Sequence, residues 1–380
     1  MDFGFTEEQQ QLWDTTLDFA RRSVDDDLVE RDAAQGFDRD AWQRCADFGI
    51  LGSNLPVEYG GRGLDVVTSV VVMEAFGYGC RDNGLTLALN GQMWAAQEPI
   101  QRFGTEQQKS RYLPLLVSGG IAADAITESE AGSDSFAMAT TARKTPEGYV
   151  LNGRKTFVGL APICDVALVF ASTDPNLGQW GISAFLVDAE APGFTRSANR
   201  PKSGLRTEPF GDLIFEDCLV PSDALLGPEG AGASIFSDSL VWERSLIFAS
   251  HVGSMARQLD ESVSYSRDRH QFGQPIGKYQ SVSNRLADMR LRLETARLLL
   301  YKAAWLIDSG KADQMAAALA NLHISESFVA SSTDAIRIHG ARGYVSEFGV
   351  ERDLRDALGG IIYAGTSDIQ RQAVARLLGL

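Results

Sequence analysis

Three textures of hydrophobic and polar spacing succeed one another along the chain. The first is helical. In "TEEQQQLWDTTLDFARRSV" the apolar Leu12, Leu17 and Phe19 recur near helical spacing behind Thr6, a residue suited to cap a helix start. From about residue 123 the runs become short and β-prone: "DVALVFAST", "GISAFLVDA" and "DLIFEDCLVP", each bounded by turn residues. "GYVLNGRKTFVG" reads as two such runs around Asn152–Gly153, a strong hairpin signal. After "LLGPEGAGA" helical spacing returns. Val282, Leu286, Met289, Leu293, Ala296, Leu300 and Ala303 step by four and three, which predicts one long helix with a single apolar seam for a bundle. The pattern predicts an α+β multidomain protein. Residues 1–122 form a helical domain, 123–227 an antiparallel sandwich or barrel, and 228–380 a helical bundle.

Composition narrows the function. A net charge of −15 over 380 residues argues against nucleic acid, whose phosphates call for basic surface, and against anionic membrane. No apolar run reaches the length of a membrane span. The acidic start "MDFGFTEEQQQLWDTT" lacks a basic-then-apolar leader pattern, so a cytoplasmic location is expected. Cys45, Cys80, Cys164 and Cys218 show no CxxC spacing, which favours free thiols over a metal site. "PVEYGGRGLD" lacks both a preceding strand and the GxGxxG order, so it reads as a turn and not a nucleotide loop.

The residue with the most chemical promise is Glu243. Phe236, Leu240, Glu243 and Ile247 share one helical face, so the acid interrupts an apolar stripe. Its neighbours at three and four residues are Ser239, Leu240, Leu246 and Ile247, none of them cationic. The opposite face, with Trp242, Leu246 and Ala249, is apolar too. Two readings stand: a carboxylate neutralised by an arginine from another helix, or a functional group. In apolar surroundings a carboxyl's pKa rises toward the range where a general base works best. A second candidate is the turn in "IIYAGTSDIQRQ", where backbone N–H groups and hydroxyls gather at a helix start. Its apex carries Ala364, which cannot move a proton.

"PVEYGG", "AITESEAGSDS", "GRKTFVG", "SRDRHQFGQPIGKYQSVSNRLADM", "IRIHGARGYVSEFGVERDLRDA" and "IIYAGTSDIQ" occur in an order and spacing that resembles the acyl-CoA dehydrogenase family over nearly the whole chain. That resemblance implies FAD lying between a β domain and a four-helix bundle, usually in a homotetramer. The implied reaction is α,β-dehydrogenation of an acyl thioester. A carboxylate takes the α-proton and the β-hydrogen leaves as hydride to flavin N5.

Residue by residue, the resemblance assigns Ile126, Thr127 and Ser133 to the isoalloxazine and diphosphate. Phe157 corresponds to an aromatic packed on the flavin, and Gly159 replaces a threonine found in many members. Arg269, Phe272 and Gln280 match a segment that reaches the FAD of a neighbouring subunit. Arg337 replaces a common glutamine, Gly340 matches a family glycine, and Thr366 and Asp368 match contacts of the closing turn. Ala364, followed by Gly365 on the substrate side, stands where many members carry the catalytic glutamate. A minority place the base on the bundle helix just before an arginine. Glu243–Arg244 holds that place, so the resemblance makes Glu243 the base and Arg244 a supporting group beside the substrate.

"WERSLIFAS", the small residue in "AGTSD" and "RLRLETARLLLYKA" resemble members of secondary metabolism that oxidise aminoacyl groups on a carrier protein, with prolyl to pyrrolyl thioester as the leading type. Carrier proteins are acidic, and Arg196, Arg200, Lys202 and Arg206 offer a basic segment for docking. The competing readings are a catabolic short- or branched-chain acyl-CoA dehydrogenase, a flavin oxidase or monooxygenase on the same fold, and a DNA-binding flavoprotein disfavoured by charge.

Overall fold

A computed structural model describes residues 4–24 and 27–380; the first three residues of the acidic N-terminal stretch lie outside the described residues. The helix Glu7–Ser23 begins where the spacing placed it. Thr6 accepts from the Gln9 N–H, and the Gln9 side chain accepts in return from the Thr6 N–H, a reciprocal cap. Further helices continue to Val117. One of them, Val66–Gly79, is buried on nearly all sides because its neighbours include the bundle helix Ala249–Asp268.

The strands run β1 (Ala122–Ala125), β2 (Thr141–Thr145), β3 (Gly148–Gly159), β4 (Val166–Ser172), β5 (Ile182–Asp188), β6 (Phe194–Arg196), β7 (Phe210–Val220) and β8 (Leu225–Leu226). They form one sheet in the order β6-β7-β3-β2-β4-β5-β8, with β1 added beside β4. Most pairs are antiparallel as expected. The exceptions are β1 with β4 and the single contact of β2 with β4, which are parallel and make the sheet mixed.

The expected hairpin at Asn152–Gly153 is not there. Both residues lie inside β3, and the reversal falls between Thr145 and Gly148, which pair across the turn. Asn152 and Gly153 instead mark a bulge against β7, where the register slips between Leu151 and Gly153. The Asn152 side chain bonds both ways with Asp217, and Gly153 has φ +147° with Thr140 packed where a Cβ would stand. The dipeptide supplies the backbone freedom that a turn needs, but tertiary packing uses it for a bulge.

The bundle comprises Gly232–Leu246, Ala249–Asp268, Gln280–Asp308 and Gln314–His339, with shorter helices Val350–Gly360 and Ser367–Leu377 behind them. Along Gln280–Asp308 the seam from Met289 to Ala303 is buried, while Val282 and Leu286 pack at its edge. Among the described residues no helix is long and apolar enough to cross a membrane. The four cysteines are all buried.

Candidate active site

Glu243 sits where two apolar clusters meet. Phe236 and Leu240, two turns and one turn before it, pack with Phe170 and Leu186 of the sheet. Leu246, Ile247 and Phe248 pack into the other cluster, with the bundle. The carboxyl lies deep between them yet keeps some solvent access. It makes no hydrogen bond or ion pair to the described residues, so the reading that another helix neutralises it does not hold. Burial pushes its pKa up to about 7, and the adjacent Arg244 charge pulls the other way with less effect.

Arg244 reaches the closing turn. Its Nε donates to the Ala364 carbonyl at 3.2 Å, and Gln370 Nε2 donates to the same oxygen at 2.9 Å and to the Gly365 carbonyl at 3.0 Å. Ala364 and Gly365 both have positive φ, +55° and +87°, so these donors hold a turn that is locally strained. Thr366 caps the following helix by accepting from the Ile369 N–H. The turn at 361–372 is therefore fixed to the glutamate helix by the residue next to the glutamate. Behind it, Tyr363 packs against Phe248 and its hydroxyl meets His251 Nε2 at 3.1 Å.

The sheet supplies the facing wall. Strand β1 ends at Ala125, and the chain then turns through Ile126 and Thr127. Lys155 Nζ, wholly buried, donates to the Ile126 carbonyl at 3.0 Å and to Glu128 Oε1 at 2.8 Å. Glu128 in turn accepts from the Ala139 and Thr140 N–H groups. The Thr156 N–H donates to the Thr127 carbonyl at 2.8 Å. Next to it, Phe157 occupies a second bulge of β3 with φ +59° and remains 54% exposed, stacked on Phe210 with the Arg200 guanidinium over its ring. Ile126, Thr127 and Phe157 are thus brought together by one buried lysine and one backbone bond.

Gly159 closes this wall beside Glu208. A Cβ there would stand 2.8 Å from Glu208 Oε1, while Oε2 is held by Lys202 at 3.0 Å. Glu208 fills the space that a side chain at 159 would need, which is a physical reason for glycine at that position.

The other expected residues assemble elsewhere. Arg269 ends its helix, and Phe272 forms with Gly273 the tip of a small hairpin, at φ +49° and 95% exposed. Gln280 starts the long bundle helix, Arg337 leans on Asp334, and Gly340 ends the helix Gln314–His339, where His339 stacks on Tyr265. Ser133 and Asp368 are exposed.

The basic segment is spent on internal partners. Arg200 pairs with Asp212, Lys202 with Glu208, Arg196 donates to the Cys164 carbonyl and Arg206 to the Ala33 carbonyl. These bonds brace the loop after β6; Arg200 and Lys202 are paired with carboxylates, while Arg196 remains exposed. A cleft of about 460 Å³ opens along the outer side of the glutamate helix, lined by Phe136, Trp180, Ser237, Asp238, Val241 and Trp242.

Sequence reasoning missed Asp124, Lys155, Glu128 and Glu208. The signal for Asp124 was available: it is the lone polar residue in "IAADAI".

Helices, a mixed sheet and a bundle enclosing a carboxyl of raised pKa are an architecture with known relatives. The chain belongs to the acyl-CoA dehydrogenase family: the family's N-terminal domain matches residues 6–120, its middle domain 123–218 and its C-terminal domain 230–379. An L-prolyl-(peptidyl-carrier protein) dehydrogenase of Pseudomonas fluorescens is 45% identical over 341 residues, covering 89% of this chain and 90% of its own. The crystal structure of the prolyl acyl carrier protein oxidase AnaB superposes with a TM-score of 0.98 at 44% identity, covering 99% of this chain and all of that one. The structure of PigA with FAD and proline gives 0.97 at 38%, covering both chains completely.

Proposed function

We propose that this protein is an FAD-dependent dehydrogenase that oxidises a carrier-protein-bound L-prolyl thioester toward the pyrrolyl thioester, with Glu243 as the base. The observation that carries the mechanism is the Glu243 carboxyl itself: without a hydrogen-bond or ion-pair partner among the described residues, between two apolar clusters, and poised near neutrality. The substrate class rests on full-length similarity to proteins named for prolyl carrier-protein oxidation.

The residues present fit a flavin. Phe157 is left half-exposed in a strained bulge, and the Ile126–Thr127 turn beside it is held rigid by Lys155 and Thr156. When bound, FAD supplies the two-electron oxidation at the β-carbon. The chain's own residues do the rest. Glu243 removes the proton beside the thioester carbonyl, and its apolar flanks exclude water from that step. Arg244 and Gln370 hold the turn at Ala364, where a small side chain leaves room for the acyl ring.

The same reading makes the active form a cytoplasmic homotetramer. It is supported by the exposed Phe272 and by Leu291, Leu298 and Trp305, which are exposed and recur every seven residues along one face of the long bundle helix. Arg269, Phe272 and Gln280 then serve a neighbour's FAD.

The test is anaerobic bleaching of the holoenzyme flavin by L-prolyl thioester on a carrier protein, against a panel of acyl-CoAs. Rapid bleaching by the carrier-bound substrate alone is expected. Bleaching by a short acyl-CoA alone would assign the protein to catabolism.

A further inference from the structure

Glu243 is not the only carboxyl at this site. Across from it, on β1, stands Asp124. Ala123 and Ala125 face one apolar cluster, whereas Ala122 and Ile126 face the other, the cluster that holds Phe236 and Leu240 of the glutamate helix. By strand alternation Asp124 shares that second face. It is the polar break in an apolar strand face, opposite the polar break in an apolar helix stripe. Burial pushes the Asp124 carboxyl well above its usual range, and the Glu243 charge, close enough to act on it, adds to the rise.

Asp124 Oδ1 is shut off from solvent and has no hydrogen-bond partner among the described residues. The residue as a whole keeps some accessible surface, as a group lining an open site must. Lys155 and the Ala125 N–H both favour the Asp124 charge, but less than burial and Glu243 oppose it, and the Lys155 ammonium is already committed to Ile126 and Glu128. A buried carboxyl oxygen with no partner is costly unless something completes it. The fatty acyl chain of an ordinary thioester offers nothing for this purpose. A secondary ammonium does: two N–H donors and one positive charge, on the atom next to the carbon whose proton Glu243 takes. An α-amino group is largely protonated at neutral pH.

We propose that Asp124 is the specificity-determining residue that receives the protonated ring nitrogen of the substrate, which selects an aminoacyl over a simple acyl thioester and orients the α-proton toward Glu243. This rests on the aminoacyl reading above. A cation between the two carboxyls also relieves their mutual repulsion, so the site is completed by the substrate and not by the protein.

The experiment compares two thioesters on one carrier protein: L-prolyl and cyclopentanecarbonyl, the same ring size without the nitrogen. Wild-type holoenzyme is expected to be reduced by the prolyl substrate with at least roughly 30-fold higher efficiency, the scale of one buried charge pair. Asp124→Asn is expected to lower the prolyl rate by a similar factor while changing the cyclopentanecarbonyl rate only slightly, so that discrimination collapses. Binding of the two substrates to Glu243→Gln holoenzyme, which reads affinity without turnover, should show the same preference and lose it in the double variant. Equal losses on both substrates would make Asp124 a structural group and overturn the proposal. So would a wild-type enzyme that does not distinguish the two, a result that needs no variant to fold. Reduction by neither, with reduction by a short acyl-CoA, overturns the aminoacyl reading itself.

Discussion

Arg244 Nε donates to the Ala364 carbonyl at 3.2 Å, so the residue beside the buried acid also holds the turn opposite it. The backbone of that turn sits in the left-handed region, and Gln370 supplies a second donor to the same oxygen. One side chain therefore couples the position of Glu243 to the wall carrying the small Ala364. Its positive charge also tempers the rise in the Glu243 pKa.

Replacing Glu243 by glutamine should leave FAD bound and the fold intact while slowing anaerobic flavin reduction by about 10²–10⁴-fold, the usual contribution of a positioned base. Stopped-flow absorbance of the oxidised flavin measures it. A variant that bleaches as fast as wild type would remove Glu243 from the mechanism.

The same substitution should stabilise the protein at alkaline pH. Glu243 has a folded pKa of about 7, raised above the unfolded value. Its contribution to stability is fully present below about 4.5 and is lost as pH rises through about 7. Above that, the wild type holds a desolvated charge that Glu243→Gln lacks, a difference of about 1–3 kcal/mol. Thermal melts should show the variant's Tm above that of wild type at pH 8 and no higher at pH 5.

The acid limb of kcat/KM should lie near pH 7, with activity falling as pH drops and Glu243 takes up a proton. Arg244→Met should move that limb to higher pH, because the guanidinium favours the charged carboxylate. Arg244→Lys keeps the charge but loses the directed Nε–H, so its limb should stay near wild type while kcat falls. Identical shifts in the two variants would show that geometry, not charge, sets the pKa.

Gly159 and Glu208 should be thermodynamically coupled. In Gly159→Ala the new methyl stands 2.8 Å from a carboxylate that Lys202 holds in place. The expected cost is about 1–3 kcal/mol. In a Glu208→Ala background most of that cost should disappear, giving a coupling energy of about 1 kcal/mol or more in a denaturation double-mutant cycle. Additive losses would mean that Glu208 does not fill the site's missing side chain.

Lys155→Met should be the most damaging of these changes. It leaves Glu128 without its cation and frees the Ile126 carbonyl, and breaking a buried pair from one side costs about 3–5 kcal/mol. Urea midpoints would report the loss. A fall in FAD content beyond that of an equally destabilised core variant would show that Lys155 also positions the flavin wall.

Much was legible along the chain because it depends on spacing. The cap at Thr6, the seam from Met289 to Ala303 and the acid interrupting the Phe236–Ile247 stripe are local periodicities, and burial followed them. Asn152–Gly153 shows the limit of that logic. Local chemistry specified backbone freedom, but the pairing of β3 with β7 and the nearness of Thr140 decided that it would be a bulge. The sequence by itself determined that Glu243 is a misplaced charge on an apolar helix. Only the tertiary structure decided what faces it. The opposition of Asp124 to Glu243, the grip of Arg244 on Ala364 and the filling of Gly159's space by Glu208 join residues about 50 to 120 positions apart. Such pairings arise from how strands and helices stack, and no short-range pattern encodes them.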